Sequence, residues 1–344
     1  MTGWRFPLIL AVLLGCTATL TVAQSGPPQK ILHQWITEAS VGKPRAHSNL
    51  AIYPVTLAST GVPDALTLDK AIQAGALQVG EVSDSGSVNT LVLQNRGKQP
   101  VFIMAGEILS GAKQDRVLQH AIWLEPGGGK VDVGAFCVEQ GRWSYQTDSK
   151  HFQTKETLSN IAVRAEARAA KSQGGVWSKV AETQDALEVA APTQSLNAAY
   201  EDRKVQANIN SYTEAFEDMV TAHPKMNGVI IQIGDQMVAV DAFSRRDLLA
   251  ELWPKMIKSY ALEASSRGGG KVATDVDRAS RFLLRAATAE PTRQPNPGQG
   301  ALLELSSDGI SGEALVLDKG VAHLELFSSG TRSSQVVPIQ RRYR

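Results

Sequence analysis

The hydrophobic period of this 344-residue chain changes once, near residue 154, and that change limits the folds open to it. Before it, apolar residues come in short runs at 77–82, 90–94, 101–105, 118–124 and 131–138, parted by turn-forming clusters at 83–87 and 95–98. Such spacing favours antiparallel strands, because parallel βαβ units would need a helix between successive runs. A further run at 51–57 reads as a strand interrupted by Pro54, and Thr67 as the cap of a brief helix over 68–74 that Gly75 stops. Residues 31–37 carry near-helical spacing.

From Thr154 apolar residues recur three and four apart: Leu158, Ile161, Ala162, Ala165 and Ala169 predict an amphipathic helix ending at Gly174-Gly175. A second helix is expected over 176–190. Ser195 caps a third, whose Leu196, Tyr200, Ile209, Tyr212, Phe216 and Met219 share one side before Pro224. Residues 229–233 and 236–242 read as a hairpin through Gly234-Asp235. Ser244 with Asp247 approaches a capping box for a helix with Leu248, Leu249, Leu252, Trp253, Met256 and Tyr260 in its stripe and a kink at Pro254. Beyond Gly268-Gly269-Gly270 come a helix at 275–289 and a Pro/Gly/Gln-rich linker at 290–300. The expected class is α+β: a mainly antiparallel β-region at 50–145 and a helix-rich region at 154–289 with one hairpin, both within a domain of residues 24–289, followed by a small C-terminal β-meander at 301–344.

Residues 1–23 read as a signal peptide. Arg5 precedes the uncharged run 6–14, and Thr21-Val22-Ala23 before Gln24 has the small residues of a cleavage site. The expectation is export, periplasmic or secreted, with no transmembrane span after signal removal. Leu13-Leu14-Gly15-Cys16 also resembles a lipobox, so a lipoprotein anchored at Cys16 is the alternative. Cleavage at Ala23 would leave Cys137 as the only cysteine and exclude an intramolecular disulfide.

Composition removes several classes. Thirty-five Lys+Arg against 34 Asp+Glu give a net charge of +1, without the basic footprint of a nucleic-acid binder. Two cysteines cannot form a four-thiolate centre, and His33, His47, His120, His151, His223 and His323 lack the spacing that places two imidazoles on one helical face. No metal site is expected, and the residues leave the cofactor unknown. No Gly-x-Ser-x-Gly elbow occurs.

Two polar clusters stand out. Residues 106–116 suggest a phosphate-binding loop, yet Ala112 precedes Lys113 and Gln114 occupies the place of the magnesium-binding hydroxyl, so that reading fails. What remains is Glu107, Lys113, Asp115 and Arg116 on a turn flanked by apolar strands: a solvated turn, or charges on a rigid sheet that form a site. In the second cluster, Cys137, Glu139, Arg142 and Trp143, the first two point to one face of a strand. A carboxylate beside Cys137 disfavours a thiolate, so a buried inert thiol is expected. Trp143 walls a pocket or fills the core.

Both clusters resemble a bacterial family of unknown activity, the ARG and Rhodanese-Phosphatase-superfamily-associated Protein domain. The resemblance rests on 105–109, Gly111-Ala112-Lys113-Gln114-Asp115-Arg116 and Cys137-Val138-Glu139-Gln140-Gly141-Arg142-Trp143, with later matches at 228–243 and 252–262. It covers 52–264 and implies one α+β unit in which these polar residues form a shared site. Two functions follow as expectations. One is a module binding a small polar ligand or a protein partner through Lys113, Gln114, Arg116, Arg142 and Trp143. The other is a hydrolase for a phosphorylated or ADP-ribose-type substrate, with Glu107, Asp115 or Glu139 as acid and base and the cations stabilising negative charge. A third reading makes both motifs a buried network that locks the β-region together.

Overall fold

The computed structural model describes residues 28–82, 89–141, 152–169 and 172–331. The expected signal segment with Cys16 lies outside the described residues, as do Arg142 and Trp143.

The chain begins with α1 (Pro28–Thr37), β1 (Ser40–Val41), β2 (Arg45–His47), β3 (Leu50–Thr56), β4 (Leu66–Thr67) and α2 (Leu68–Gln73). There follow β5 (Leu77–Glu81), β6 (Thr90–Asn95), β7 (Val101–Ile103), β8 (Glu107–Gly111), β9 (Arg116–Leu118), β10 (Ile122–Leu124), β11 (Val131–Cys137) and β12 (Phe152–Leu158). The helical stretch holds α3 (Ile161–Ala169), α4 (Gln173–Leu187), α5 (Leu196–Glu201), α6 (Arg203–Phe216) and α7 (Met219–Ala222). The remainder is β13 (Gly228–Ile233), β14 (Gln236–Phe243), α8 (Arg246–Arg267), α9 (Val276–Thr288), β15 (Thr292–Gln294), β16 (Ala301–Ser307), β17 (Ile310–Leu317) and β18 (Gly320–Ser328). This is an α+β fold with antiparallel sheets and a C-terminal meander; among the described residues only the short β4–β7 pair is parallel.

The largest sheet has the order β1-β3-β13-β14-β18-β17-β16-β15, with β2 also on β3. Its strands β13, β17 and β18 are buried on both faces, and β13 reads as a nearly continuous apolar run. Side chains alternate between two cores. On one face Ala51, Tyr53, Ile230, Val240 and Leu324 pack against Trp35 of α1 and Phe282 and Leu283 of α9. On the other, Leu50, Ile52, Val229, Ile231 and Phe243 pack against α6 and α8 through Phe216, Leu252, Met256 and Tyr260. A six-stranded sheet, β12-β8-β9-β11-β6-β5, and a three-stranded one, β10-β7-β4, enclose a third core around Leu93, Ile103 and Leu118. Among the described residues no helix is long and apolar enough to cross a membrane.

Several boundaries differ from expectation. The charged turn is a hairpin: Glu107 and Arg116 lie within β8 and β9, and only 112–115 turn. The run 118–124 divides, β9 pairing with β11 and β10 with β7, because Ala121 N donates to Glu313 Oε1 at 3.0 Å and draws the chain between sheets. Residues 152–158 form a strand on β8 rather than a helix. Gly174-Gly175 lies in the first turn of α4; a Cβ at Gly175 would stand 2.1 Å from Glu166 Oε1, so close packing on α3 explains the glycine. Asp202 breaks the third expected helix by capping α6, accepting from the Lys204 and Val205 amides. Ser244 does not cap α8; its hydroxyl donates to Val321 O. The meander continues the largest sheet, β18 pairing with β14 from Ala239↔Phe327 to Phe243↔His323, and β15 lies within 290–300.

Candidate functional site

The β8–β9 turn brings the two motifs together. Gly111 and Ala112 both have positive φ, +116° and +42°, and a non-glycine residue in that region carries roughly 1–3 kcal/mol of strain. Asp115 closes the turn by accepting from Gly111 N at 3.1 Å through Oδ1, while its Oδ2 accepts from Asn197 Nδ2 at 2.5 Å. Glu139 approaches through Oε2, 3.4 Å from Asp115 N, and its carbonyl accepts from Gln114 Nε2 at 2.8 Å. Gln114 Oε1 in turn accepts from the Cys137 thiol and from Arg116 Nη1, the latter at 3.4 Å. Arg116 also faces Glu81 at 3.5 Å. Gln114, Asp115, Arg116 and Glu139 therefore meet, with Lys113 on the same turn, and all five are buried.

Burial pushes the Cys137 thiol up to about 11, against the opposing pull of Arg116, with Glu81 and Glu139 adding to the rise. The thiol is protonated at neutral pH and is no nucleophile.

Glu107 belongs elsewhere. It is fully buried, with Oε1 held by Lys255 Nζ at 2.5 Å and Oε2 accepting from Met104 N at 2.8 Å. Lys255 also pairs with Asp69. Burial pushes Glu107 up, with the Lys255 charge holding it back. Burial alone would lower Lys255, but its two carboxylates outweigh that and raise it.

A third polar group was not anticipated. Register places Asp241 opposite Glu325, Glu325 opposite Glu313, and Glu313 opposite Glu304, a row of acids across β14, β18, β17 and β16. Like charges in such positions repel. Helix α3 lies over them: Arg164 grips Asp241 with Nη1 and Nη2 at 3.0 and 2.6 Å and reaches Glu325 at 2.9 Å, while Arg168 lies 3.7 Å from Glu304. His120 meets Glu313 at 2.7 Å, and the Tyr260 hydroxyl donates to Asp241 at 2.6 Å. Burial works to raise Asp241, but Arg164 and His323 outweigh it and hold the carboxyl well below its usual range. Glu325 goes the other way: burial, with Glu313 and Asp241 adding to it, lifts the carboxyl to about 7 against the pull of Arg164. A Cβ at Gly106 would stand 2.4 Å from Arg164 Cγ, so the first motif's glycine exists to admit the arginine stem. The sequence did carry a signal, since Arg164 and Arg168 sit on the buried stripe of Ile161 and Ala165.

The motif residues also position α4. Gln173 accepts from Cys137 N and donates to Cys137 O, both at 2.8 Å, and Gln184 Nε2 donates to Ser195 O at 2.7 Å, where Ser195 bridges to Glu139. The other side of α4 walls a cleft of about 800 Å³, completed by the β13–β14 turn and the C-terminal end of α8. Lys179 is paired with Glu182 and Arg267 with Glu263, each at 2.6 Å, whereas Asp185 and Asp235 are exposed and make no ion pair among the described residues. Among the described residues, none of those at 105–116 or 137–141 lines this cleft. Among the described residues no group of three or more His, Cys, Asp or Glu is arranged to hold a metal.

The family described as ARG and Rhodanese-Phosphatase-superfamily-associated Protein domain matches residues 38–327, and the chain belongs to it. The match extends past the 52–264 stretch that carried the resemblance and takes in the meander, as the β14–β18 pairing requires. No curated protein and no solved structure matches the chain.

Proposed function

We propose that the protein is an exported, non-enzymatic module that binds a small polar ligand in the cleft between α4, the β13–β14 turn and the end of α8. The observation that carries this reading is the cleft itself. Its volume of about 800 Å³ suits a small molecule, and its lining supplies charged and hydrogen-bonding groups from separate elements. With Asp185 and Asp235 unpaired and the carbonyl end of α8 beside them, a ligand with a cationic group is favoured. Gln114, Arg116 and Glu139 then act as positioning residues that hold α4 in place. Binding is favoured over hydrolysis because the candidate acids are engaged: Glu107 by Lys255 and a backbone amide, Asp115 by Asn197 and its own turn, and buried Glu139 by the Asp115 amide. Export rests on the sequence of residues 1–23, and mass measurement of the secreted chain tests it.

A thermal-shift panel of amines, amino acids and sugars tests the binding. The expected result is a hit whose shift is lost in Asp185→Asn/Asp235→Asn while the ligand-free melting temperature stays unchanged. No stabilising compound, or a shift indifferent to that double variant, would remove the cleft as the site.

A further inference from the structure

A second concavity, of about 450 Å³, meets the first at Gln236 and Gly330 and is lined by α9 and the ends of β14 and β18. Three of its lining residues are Arg278, Arg281 and Arg285, at i, i+3 and i+7, hence along one helical face. All three are exposed, and none makes an ion pair among the described residues. Among the described residues no acidic side chain lines the concavity; Gln236 and Ser328 add neutral hydrogen-bonding groups, and buried Phe282 and Met237 supply apolar surface. Arg285 is further confined by the β16–β17 turn, where a Cβ at Gly309 would stand 2.8 Å from its Nη1.

A solvated helical face usually interleaves both signs of charge, and the chain as a whole has nearly equal numbers of each. Three unpaired guanidiniums facing one hollow depart from that balance, and their planar forks match phosphate oxygens two at a time. The row spans about 10 Å along the helix axis at ~1.5 Å per residue, longer than one phosphate reaches. We propose that this cleft binds an anion carrying two or more phosphoryl groups, with Arg278, Arg281 and Arg285 as its ligands. The site adjoins the polar-ligand cleft at Gln236 and Gly330 but shares none of that cleft's charged residues.

Calorimetric titration of the full chain with inorganic tripolyphosphate, pyrophosphate and sulfate tests it. The expected result is one site per chain, affinity falling in that order and weakening as salt rises. Arg281→Gln/Arg285→Gln should weaken tripolyphosphate at least about tenfold, as loss of charge-assisted bonds implies. Arg293→Gln, an exposed position on β15 outside the cleft, should leave it unchanged. Absence of binding at millimolar tripolyphosphate, or equal weakening in both variants, overturns the proposal. Melting temperatures of the variants exclude unfolding as the cause.

Discussion

Replacing Glu325 with Gln should flatten the dependence of stability on pH. The carboxyl titrates near 4.5 in an unfolded chain and at about 7 in the folded one. An acid with the higher pKa in the folded state binds its proton more tightly there, so folding is favoured at low pH and weakens as pH rises from 4.5 towards 7. At about 1.4 kcal/mol per unit, the whole loss is about 3 kcal/mol. For a chain of this size it lowers the melting temperature by roughly 4–5 °C. His120, raised by Glu313 against its own burial, contributes in the same direction, because its stabilisation is present below 6.5 and lost above. Glu325 is itself one of the charges that raise His120, so the variant also removes that part of the dependence. Glutamine keeps an oxygen for Arg164 and offers Glu313, its neighbour across the strands, a donor. The variant should match wild type at pH 5 and exceed it at pH 8, measured by thermal unfolding at constant ionic strength. Parallel curves for the two proteins would refute the assignment of a proton to Glu325.

Gly106→Ala should cost about 3 kcal/mol, combining left-handed strain with overpacking on Arg164. Gly75→Ala, also at positive φ but with nothing within 4 Å of an added Cβ, should cost only about 1 kcal/mol; equal losses in denaturant melts would show that the Arg164 contact is unimportant. In a Cys16→Ser background, Cys137 should react with a disulfide reagent at pH 8 no faster than the chain unfolds, since it is buried and its thiol is pushed up to about 11. Labelling within minutes in native buffer would contradict its burial.

The elements that could be read from sequence were those whose own side chains determine them. The alternation in β6, with Leu91, Leu93 and Asn95 inward, and the stripe of α8 are local patterns. The failures share a tertiary cause. Phe152–Leu158 buries only its end residues and becomes a strand because β8 pairs with it, which residues 152–158 alone do not encode. Convergence of Gln114, Asp115 and Glu139 was legible from the two motifs. Their depth was not, because Asn197 and Gln173, residues of α5 and α4 more than thirty positions beyond Glu139, cover them. The acid row was also hidden, since Asp241, Glu325, Glu313 and Glu304 become neighbours only once strand order and register are known.

These buried charges bear on specificity more than on net stability. Ion pairs removed from water contribute little relative to apolar packing, yet cost several kcal/mol when one partner is lost. Here each contact near the β8–β9 hairpin selects a different helix: Gly106 admits α3 through Arg164, Glu107 takes α8 through Lys255, Asp115 takes α5 through Asn197, and Cys137 of the adjoining β11 takes α4 through Gln173. An apolar surface would accept any of these amphipathic helices in several registers, leaving a mismatched pair exposed nowhere. With charged and amide partners, a misdocked helix strands a buried group without its complement. Since α4 and α8 are two walls of the larger cleft, the geometry of that cleft depends on the motif residues that never touch it.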